Sequence, residues 1–328
     1  MIMRVCGGTT EESIAHIAES YFQHLFTLAN PVNANVVLDS ANKLVTPKMN
    51  DILLQRYTSK EVRLALFQMH PSKSLRPAHF FFQKFWHIVG TDVTIAILSV
   101  LNFGHMLKKM NYTHIVLIPK KNDPKHMAEY RPISLGKVVF HILSRVIANC
   151  LKIILPNIIS DAQSAFVPDR LITDNTTIAY ELLHRMCNKR KGKLGLMAIK
   201  LDISKAYDWV EWPFLKKVME KLGFDPRWLR LAMKTVTTSS YSVLINGEPK
   251  GFIDPSWGIR QGNSLSPYLF LLYVEGLSAF LRIAEESRVI KGIKSSQHGV
   301  SVSYLLFVDD SLLFCLAIVG SARDCYAF

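Results

Sequence analysis

Apolar residues recur along this chain with two periods, and the change from one to the other divides it into elements. Over residues 9–28, Ile14, Ile17, Tyr21 and Leu25 fall at helical spacing. Thr10 can cap that helix, Glu11 and Glu12 suit its positive end, and Pro31 lies beyond its stop. A polar, Asn-rich connector follows. A second helix is predicted from Thr58, which with Glu61 makes a capping box ahead of Val62, Leu64, Ala65 and Leu66. Further helices are predicted over 80–89, 91–107, 138–154, 176–188, 211–222 and 266–286. Pro213 is tolerated in the first turn of the 211–222 helix, and Gly223 stops it. The aromatic cluster Phe80, Phe81, Phe82, Phe85 and Trp86 could stack on bases, but its helical spacing assigns it to the core.

Elsewhere the pattern is that of strands. Residues 115–118 are a short apolar run leading into a loop with Lys120, Lys121 and Lys125, after which Arg131 begins another extended piece. That is a hairpin with a basic tip, either a solvated charge run or a clamp on phosphates. Residues 194–201 are apolar except for Lys200 and deliver Asp202 at their carboxyl end. Residues 240–252 alternate about Asn246-Gly247, a strong hairpin signal. Two last strands, 302–308 and 312–315, flank Asp309, Asp310 and Ser311. Residues 161–175 are too polar and punctuated for core alone, and 189–193 form a basic loop.

With 328 residues, 49% hydrophobic and 20% charged, the chain is of ordinary globular composition and large enough for several subdomains around a shared core. Its 39 Lys and Arg against 26 Asp and Glu give +13, and a pI near 9.5 favours a polyanionic partner, nucleic acid or an acidic membrane surface. The five cysteines are scattered and form no C-x-x-C pair, which suits a reduced protein without structural zinc. No secretory signal opens the chain. The apolar stretches 268–281 and 304–320 are interrupted by Glu275 and by the aspartate pair, so neither supplies the roughly 20 uncharged residues of a membrane span. The expectation is a soluble intracellular protein of nucleus or cytoplasm, without a membrane partner.

Asp309 and Asp310 interrupt a strongly apolar run, and a carboxylate in such surroundings is normally neutralised, hydrogen-bonded or bound to a cation. They are polar turn residues at a hairpin tip, or the same hairpin aims them at a divalent cation, a reading that needs a third carboxylate. Asp202 supplies one. Between these acids lies R-Q-G-N-S-L-S-P, residues 260–267, where Gly262 permits close approach of a ligand and Gln261 places an amide beside it.

In that order the set resembles the reverse transcriptases, specifically those of plant non-LTR (LINE-type) retrotransposons. L-D-I-S-K-A-Y-D (201–208) is similar to the family's motif A, R-Q-G-N-S-L-S-P to motif B and F-V-D-D (307–310) to motif C. The similarity extends to L-I-P-K-K (117–121), Y-R-P-I-S-L (130–135), Q-S-A-F-V-P-D-R-L-I-T-D-N (163–175) and Y-S-V-L-I-N-G-E-P-K-G-F-I (241–253).

The resemblance implies an α+β right-hand polymerase fragment with helical fingers and a ferredoxin-like palm built on an antiparallel sheet. Residues 1–60 would be an N-terminal helical extension, 61–193 the fingers and 194–328 the palm, stopping soon after motif C with the thumb absent. It implies RNA-directed DNA polymerase activity: a primer 3′-hydroxyl attacks the α-phosphorus of a dNTP and pyrophosphate leaves. Asp202, Asp309 and Asp310 would hold two Mg²⁺ ions, with Mn²⁺ as a substitute, and Asp202 and Asp309 rank above Asp310 as direct ligands. The backbone at Ile203 and Ser204 would reach the triphosphate, and Tyr207 would be the steric gate against ribonucleotides. Gln261 and Gly262 would contact template and incoming nucleotide, while Lys120 or Lys121, together with Arg131, would hold the triphosphate. The partners implied are an RNA template, a DNA primer and dNTPs; oligomeric state is left open.

Several positions depart from the family. Residues 74–79 replace a glycine-rich turn; Asn263 and Ser264 stand where motif B usually has Asp-Pro; Val308 replaces an alanine; and Trp209 and Trp257 sit where relatives generally carry arginine. Losing two arginines should weaken binding of a polyanion, and a single C-to-T change at each codon would produce the exchange, so mutational decay is the reading to test. With the thumb missing, turnover is expected to be weak or absent, and a non-catalytic nucleic-acid-binding remnant is the alternative. A metal-dependent nuclease would leave Tyr207 and the Arg260-Gln261-Gly262 block unexplained.

Overall fold

The computed structural model describes residues 11–27, 35–70, 78–189, 195–203, 205–294, 299–308 and 310–317. Most predicted helices are present: Glu11–Leu25, Ser59–Phe67, Val138–Lys152, Ile172–Asn188, Trp212–Leu222 and Ser266–Glu286. The capping box at Thr58 forms reciprocally, with the Thr58 hydroxyl accepting from the Glu61 N–H and Glu61 Oε2 accepting from the Thr58 N–H at 2.8 Å. Such a cap stabilises a helix by about 1 kcal/mol.

Helix Pro226–Thr237 was not among the predictions, although its signals are local: Asp225 accepts from the Arg227 N–H at 2.8 Å as N-cap, and Pro226 opens the first turn. It buries Trp228, which stacks on Phe224 at 5.1 Å. The predicted break near residue 90 lies instead at Phe85, between helices Ala78–Lys84 and Trp86–Phe103. The aromatic cluster is likewise only partly core. Phe82 and Trp86 pack against the core, whereas Phe80 and Phe81 are each 51% exposed. Successive helical side chains diverge by about 100°, so three consecutive phenylalanines cannot share one buried face.

Nine strands occur among the described residues: β1 Tyr112–Pro119, β2 Tyr130–Leu135, β3 Gly195–Asp202, β4 Ser240–Ile245, β5 Glu248–Ile253, β6 Ile293–Lys294, β7 Ser301–Val302, β8 Tyr304–Phe307 and β9 Asp310–Ala317. They form a four-stranded sheet β2-β1-β4-β5, a three-stranded sheet β3-β9-β8 and the short ribbon β6-β7. The three-stranded sheet is antiparallel. The four-stranded one is mixed, because β1 and β4 run parallel, and it joins strands from either side of residue 194. Asn246 and Gly247, both at positive φ (51° and 91°), close the β4–β5 hairpin in the turn their sequence predicts.

Two helices cover the faces of the β3-β9-β8 sheet. Leu305 and Phe314 pack on Ala179 and Leu182 of helix Ile172–Asn188. The alternate residues Leu313 and Cys315 pack on Leu281 and Ala284 of helix Ser266–Glu286. Cys315 is therefore buried. Helix Glu11–Leu25 lays Ile14, Ala18 and Phe22 across Tyr241, Val243 and Ile253 of the other sheet. Two helices, Trp86–Phe103 and Ser266–Glu286, are long and apolar enough to cross a membrane by length and composition. The second packs among other elements and carries the buried Glu275, whereas the first is the more exposed of the two.

Candidate functional site

The register between β3 and β9 sets Asp202 directly opposite Asp310. Opposed residues of an antiparallel pair project on the same face, so two carboxylates from separate strands meet there. Lys200, two residues before Asp202 and on the same face, reaches Asp310 with Nζ 3.0 Å from Oδ1. Directly opposed like charges cost roughly 0.2–1 kcal/mol, and an exposed ion pair returns a similar amount. Asp202 and Ile203 are exposed and Asp310 is half-buried. β8 and β9 are joined by Val308 and Asp309, and Val308 lies in the left-handed region at φ 54°, a strained conformation for a β-branched residue. Asp309 and Ser204 are outside the described residues, as is most of the basic loop 189–193.

Past Asp202 the chain turns through Lys205, at φ 57°, into a short 3₁₀ turn, Ala206–Trp209. Lys205 Nζ donates to the Tyr21 hydroxyl at 2.6 Å. Tyr207 is half-buried, its ring stacked on Phe270 at 5.1 Å and 13°. Asp208 is buried, and burial raises its pKa to about 6 against the opposing pull of Lys205 and Lys120. This turn is tied to the segment before helix Ser266–Glu286. The Ile259 N–H donates to the Tyr207 carbonyl and the Gly258 N–H to the Val210 carbonyl, both at 2.8 Å. Trp212 Nε1 donates to the Gly258 carbonyl at 2.7 Å.

Arg260 is buried in the next link. Its Nη2 donates to the Asn111 backbone carbonyl and to Asn111 Oδ1, at 2.8 and 2.7 Å. The guanidinium lies 4.9 Å from the Phe140 ring centre and 5.5 Å from that of Tyr241. Arg260 thus joins Gln261-Gly262 to the residue just before β1, to helix Val138–Lys152 and to β4, across separations no local period encodes. Gly262, at φ 83°, is exposed, with no atom within 4 Å of where a Cβ would stand. It opens on a cleft of about 700 Å³ whose lining includes Ser264, Lys137, Arg145, His79 and His141. Burial, with Arg260 adding to it, lowers the His141 pKa to about 4, so this imidazole is neutral near pH 7.

The basic hairpin is the β1–β2 pair, with Ile118 opposite Arg131. Its two lysines are not equivalent. Lys121 is held by Glu129 at 2.7 Å, and that bond, with the N–H groups of Lys125 and His126, draws the Glu129 pKa down to about 2. Lys120 is exposed, donates once to the Ala128 carbonyl at 2.9 Å, and its charge is felt at Asp208. Arg131 is exposed. The fold therefore pairs Asp202 with Asp310 and puts the Lys120 charge within reach of Asp208, while Gly262 lines the cleft beside helix Val138–Lys152.

The donor chemistry fits a hard divalent cation: carboxylate oxygens from adjacent strands, solvent-accessible and mutually repulsive without a positive charge between them. No cluster of three or more His, Cys, Asp or Glu side chains able to hold a metal occurs among the described residues.

The family model for reverse transcriptase (RNA-dependent DNA polymerase) matches residues 118–319, which contain both carboxylate strands, the Arg260-Gln261-Gly262 segment and the loop and second strand of the basic hairpin. An uncharacterized 149 kDa protein of transposon TX1 from Xenopus laevis is 27% identical over 317 residues, 95% of this chain and 24% of that protein. An uncharacterized mitochondrial protein of Arabidopsis thaliana is 47% identical over 68 residues, 21% of this chain and 56% of that protein. The retrovirus-related Pol polyprotein of the type-1 retrotransposable element R2 from Nasonia vitripennis is 26% identical over 230 residues, 70% of this chain and 21% of that protein. The matched stretch thus spans less than two thirds of each of these relatives. The chain belongs to the reverse transcriptase (RNA-dependent DNA polymerase) family and is related to the proteins of non-LTR retrotransposons.

Proposed function

We propose that this chain is the polymerase core of a LINE-type retrotransposon protein, adding dNTPs to a DNA primer on an RNA template, with fingers over 61–193 and palm from 194 onward. The observation that carries the reading is the cross-strand register of Asp202 and Asp310, with Asp309 adjacent in sequence. The Arabidopsis match supports a plant-type element. Asp202, Asp309 and Asp310 would hold Mg²⁺, or Mn²⁺ in its place, and the bound ions would supply activation of the primer hydroxyl and stabilisation of the charge on the leaving phosphates.

The remaining roles fall to the protein's own side chains. Lys120 and Arg131 grip the triphosphate from the hairpin, and Lys120 ranks above Lys121 because Glu129 already neutralises the latter. The backbone at Ile203 and Ser204 flanks the phosphates. Tyr207, braced by Phe270, presents a rigid ring to the sugar and rejects a ribose 2′-hydroxyl by clash. Gln261 and Gly262 face template and incoming base from the cleft. Nucleus or cytoplasm suits this activity.

Primer extension on an RNA template with Mg²⁺ and dNTPs, beside an Asp309→Ala control, tests the proposal. Extension by the unaltered chain above the control supports it. Extension no greater than the control's overturns it, and salt-dependent RNA binding in that case identifies a non-catalytic binding remnant.

A further inference from the structure

The β8 strand is held along its outer edge by a segment with no catalytic assignment. The Leu306 N–H donates to the Ala162 carbonyl at 2.8 Å, and Gln163 makes an isolated parallel bridge to Leu306. Asn175 Nδ2 donates to both the Ala162 carbonyl (3.0 Å) and the Leu306 carbonyl (2.9 Å). Side-chain Oε1 of Gln163 accepts from the Ala165 N–H at 3.0 Å and from the Val308 N–H at 3.4 Å. Val308 is the residue in the left-handed region that turns the chain from β8 toward Asp310.

The segment is itself braced. Arg170 donates to the carbonyls of Pro156, Ile159, Ser160 and Gln163, and Glu275 of helix Ser266–Glu286 accepts the Ser160 N–H at 3.0 Å. Gln163 is only 2% exposed, and its Nε2 finds no hydrogen-bond partner. A buried amide with an unspent donor is unfavourable in stability, by about 1–3 kcal/mol in general. What the side chain supplies there is its acceptor, shared between the Ala165 N–H and the Val308 N–H of the strained turn.

We infer that Gln163 is a positioning residue that fixes Val308 through its N–H and so sets the start of β9 at Asp310. Its significance for metal rests on the proposed polymerase reading; its hold on the turn does not. A left-handed valine persists only where its surroundings over-determine it, and the Ala162–Gln163 edge, Asn175 and the Gln163 acceptor are what do so here.

The test uses Gln163→Met in the full chain, a replacement of similar volume that removes both the acceptor and the orphaned donor. Three quantities are read: melting temperature, amide hydrogen exchange across residues 303–308, and Mn²⁺ binding by electron paramagnetic resonance of the free ion. The expected result is a melting temperature within a few degrees of the unaltered chain, exchange in 303–308 faster by about fivefold, and Mn²⁺ affinity weaker by about tenfold. A residue that served packing alone would shift the melting temperature and leave the other two in place.

Unchanged exchange overturns the inference. Should Gln163→Met fail to fold, Gln163→Leu, which also removes the acceptor for the Val308 N–H, decides by the same exchange measurement. If the unaltered chain binds no Mn²⁺, the polymerase reading fails, and exchange alone still judges the hold of Gln163 on the turn.

Discussion

Trp209 and Trp257 touch each other edge to face with ring centres 5.1 Å apart. They come from different segments, the turn after Asp202 and the stretch before Arg260, and only Trp257 is buried. Its Nε1 donates to the Leu25 carbonyl at 2.6 Å, which closes helix Glu11–Leu25 over the four-stranded sheet. The edge-to-face contact ties the turn after Asp202 to the stretch before Arg260. A double-mutant cycle with Trp209→Ala and Trp257→Ala, followed by urea unfolding, is expected to give a coupling of about 0.5–1.5 kcal/mol. Trp257→Ala alone costs about 3–5 kcal/mol. Additive effects would mean the contact carries no energy.

Lys200 and a divalent cation compete for Asp310. Removing the ammonium group from an exposed pair makes the site more anionic, so Lys200→Met is expected to tighten Mn²⁺ binding by roughly two- to fivefold. The effect shrinks as salt is raised. Titration of the variant beside the unaltered chain checks both the sign and the salt dependence.

Glu275 gives a stability slope with a defined sign. Burial raises its pKa from near 4.5 to about 7, in opposition to the Ser160 N–H and the charges of Arg282 and Arg170. The folded chain then binds the proton more tightly than the unfolded one. Stability from this group is fully present below pH 4.5, falls as pH rises toward 7, and is flat above. Glu275→Gln keeps an acceptor for Ser160 and removes the charge. It should unfold at higher urea than the parent at pH 8, by roughly 1–3 kcal/mol, and match it near pH 4.5. An equal difference at both pH values would show that Glu275 titrates normally.

Arg260→Lys tests the anchor of the Gln261-Gly262 segment. A lysine cannot place a planar guanidinium against both Phe140 and Tyr241 while keeping a nitrogen at the two Asn111 oxygens. The expected loss is about 2–4 kcal/mol, because buried acceptors are left under-satisfied. If primer extension is present, its dNTP KM should rise as Gly262 loses its fixed position. A variant as stable as the parent would show that the stack and the bonds are dispensable.

Much of the site was legible because it is written in local terms. A strand that ends in Asp202, the Asn246-Gly247 hairpin, the Thr58–Glu61 cap and the long helix beginning at Ser266 each depend on residues within one or two turns of one another, and each is present. The sequence by itself also determined which residue types stand near the chemistry: acids on two apolar strands, lysines in a hairpin loop, and a glycine before a helix. Tertiary structure decided the rest, since pairing partners far apart in sequence are chosen by packing and hydrogen bonding across the whole fold. It aligned Asp202 with Asp310 and separated Lys120 from the neutralised Lys121. It turned Phe80 and Phe81 outward, and it set Trp209 against Trp257. Gln163 shows the division most clearly. Its residue type was visible at once, but its acceptor meets Val308 across 145 positions, a separation that no local period encodes.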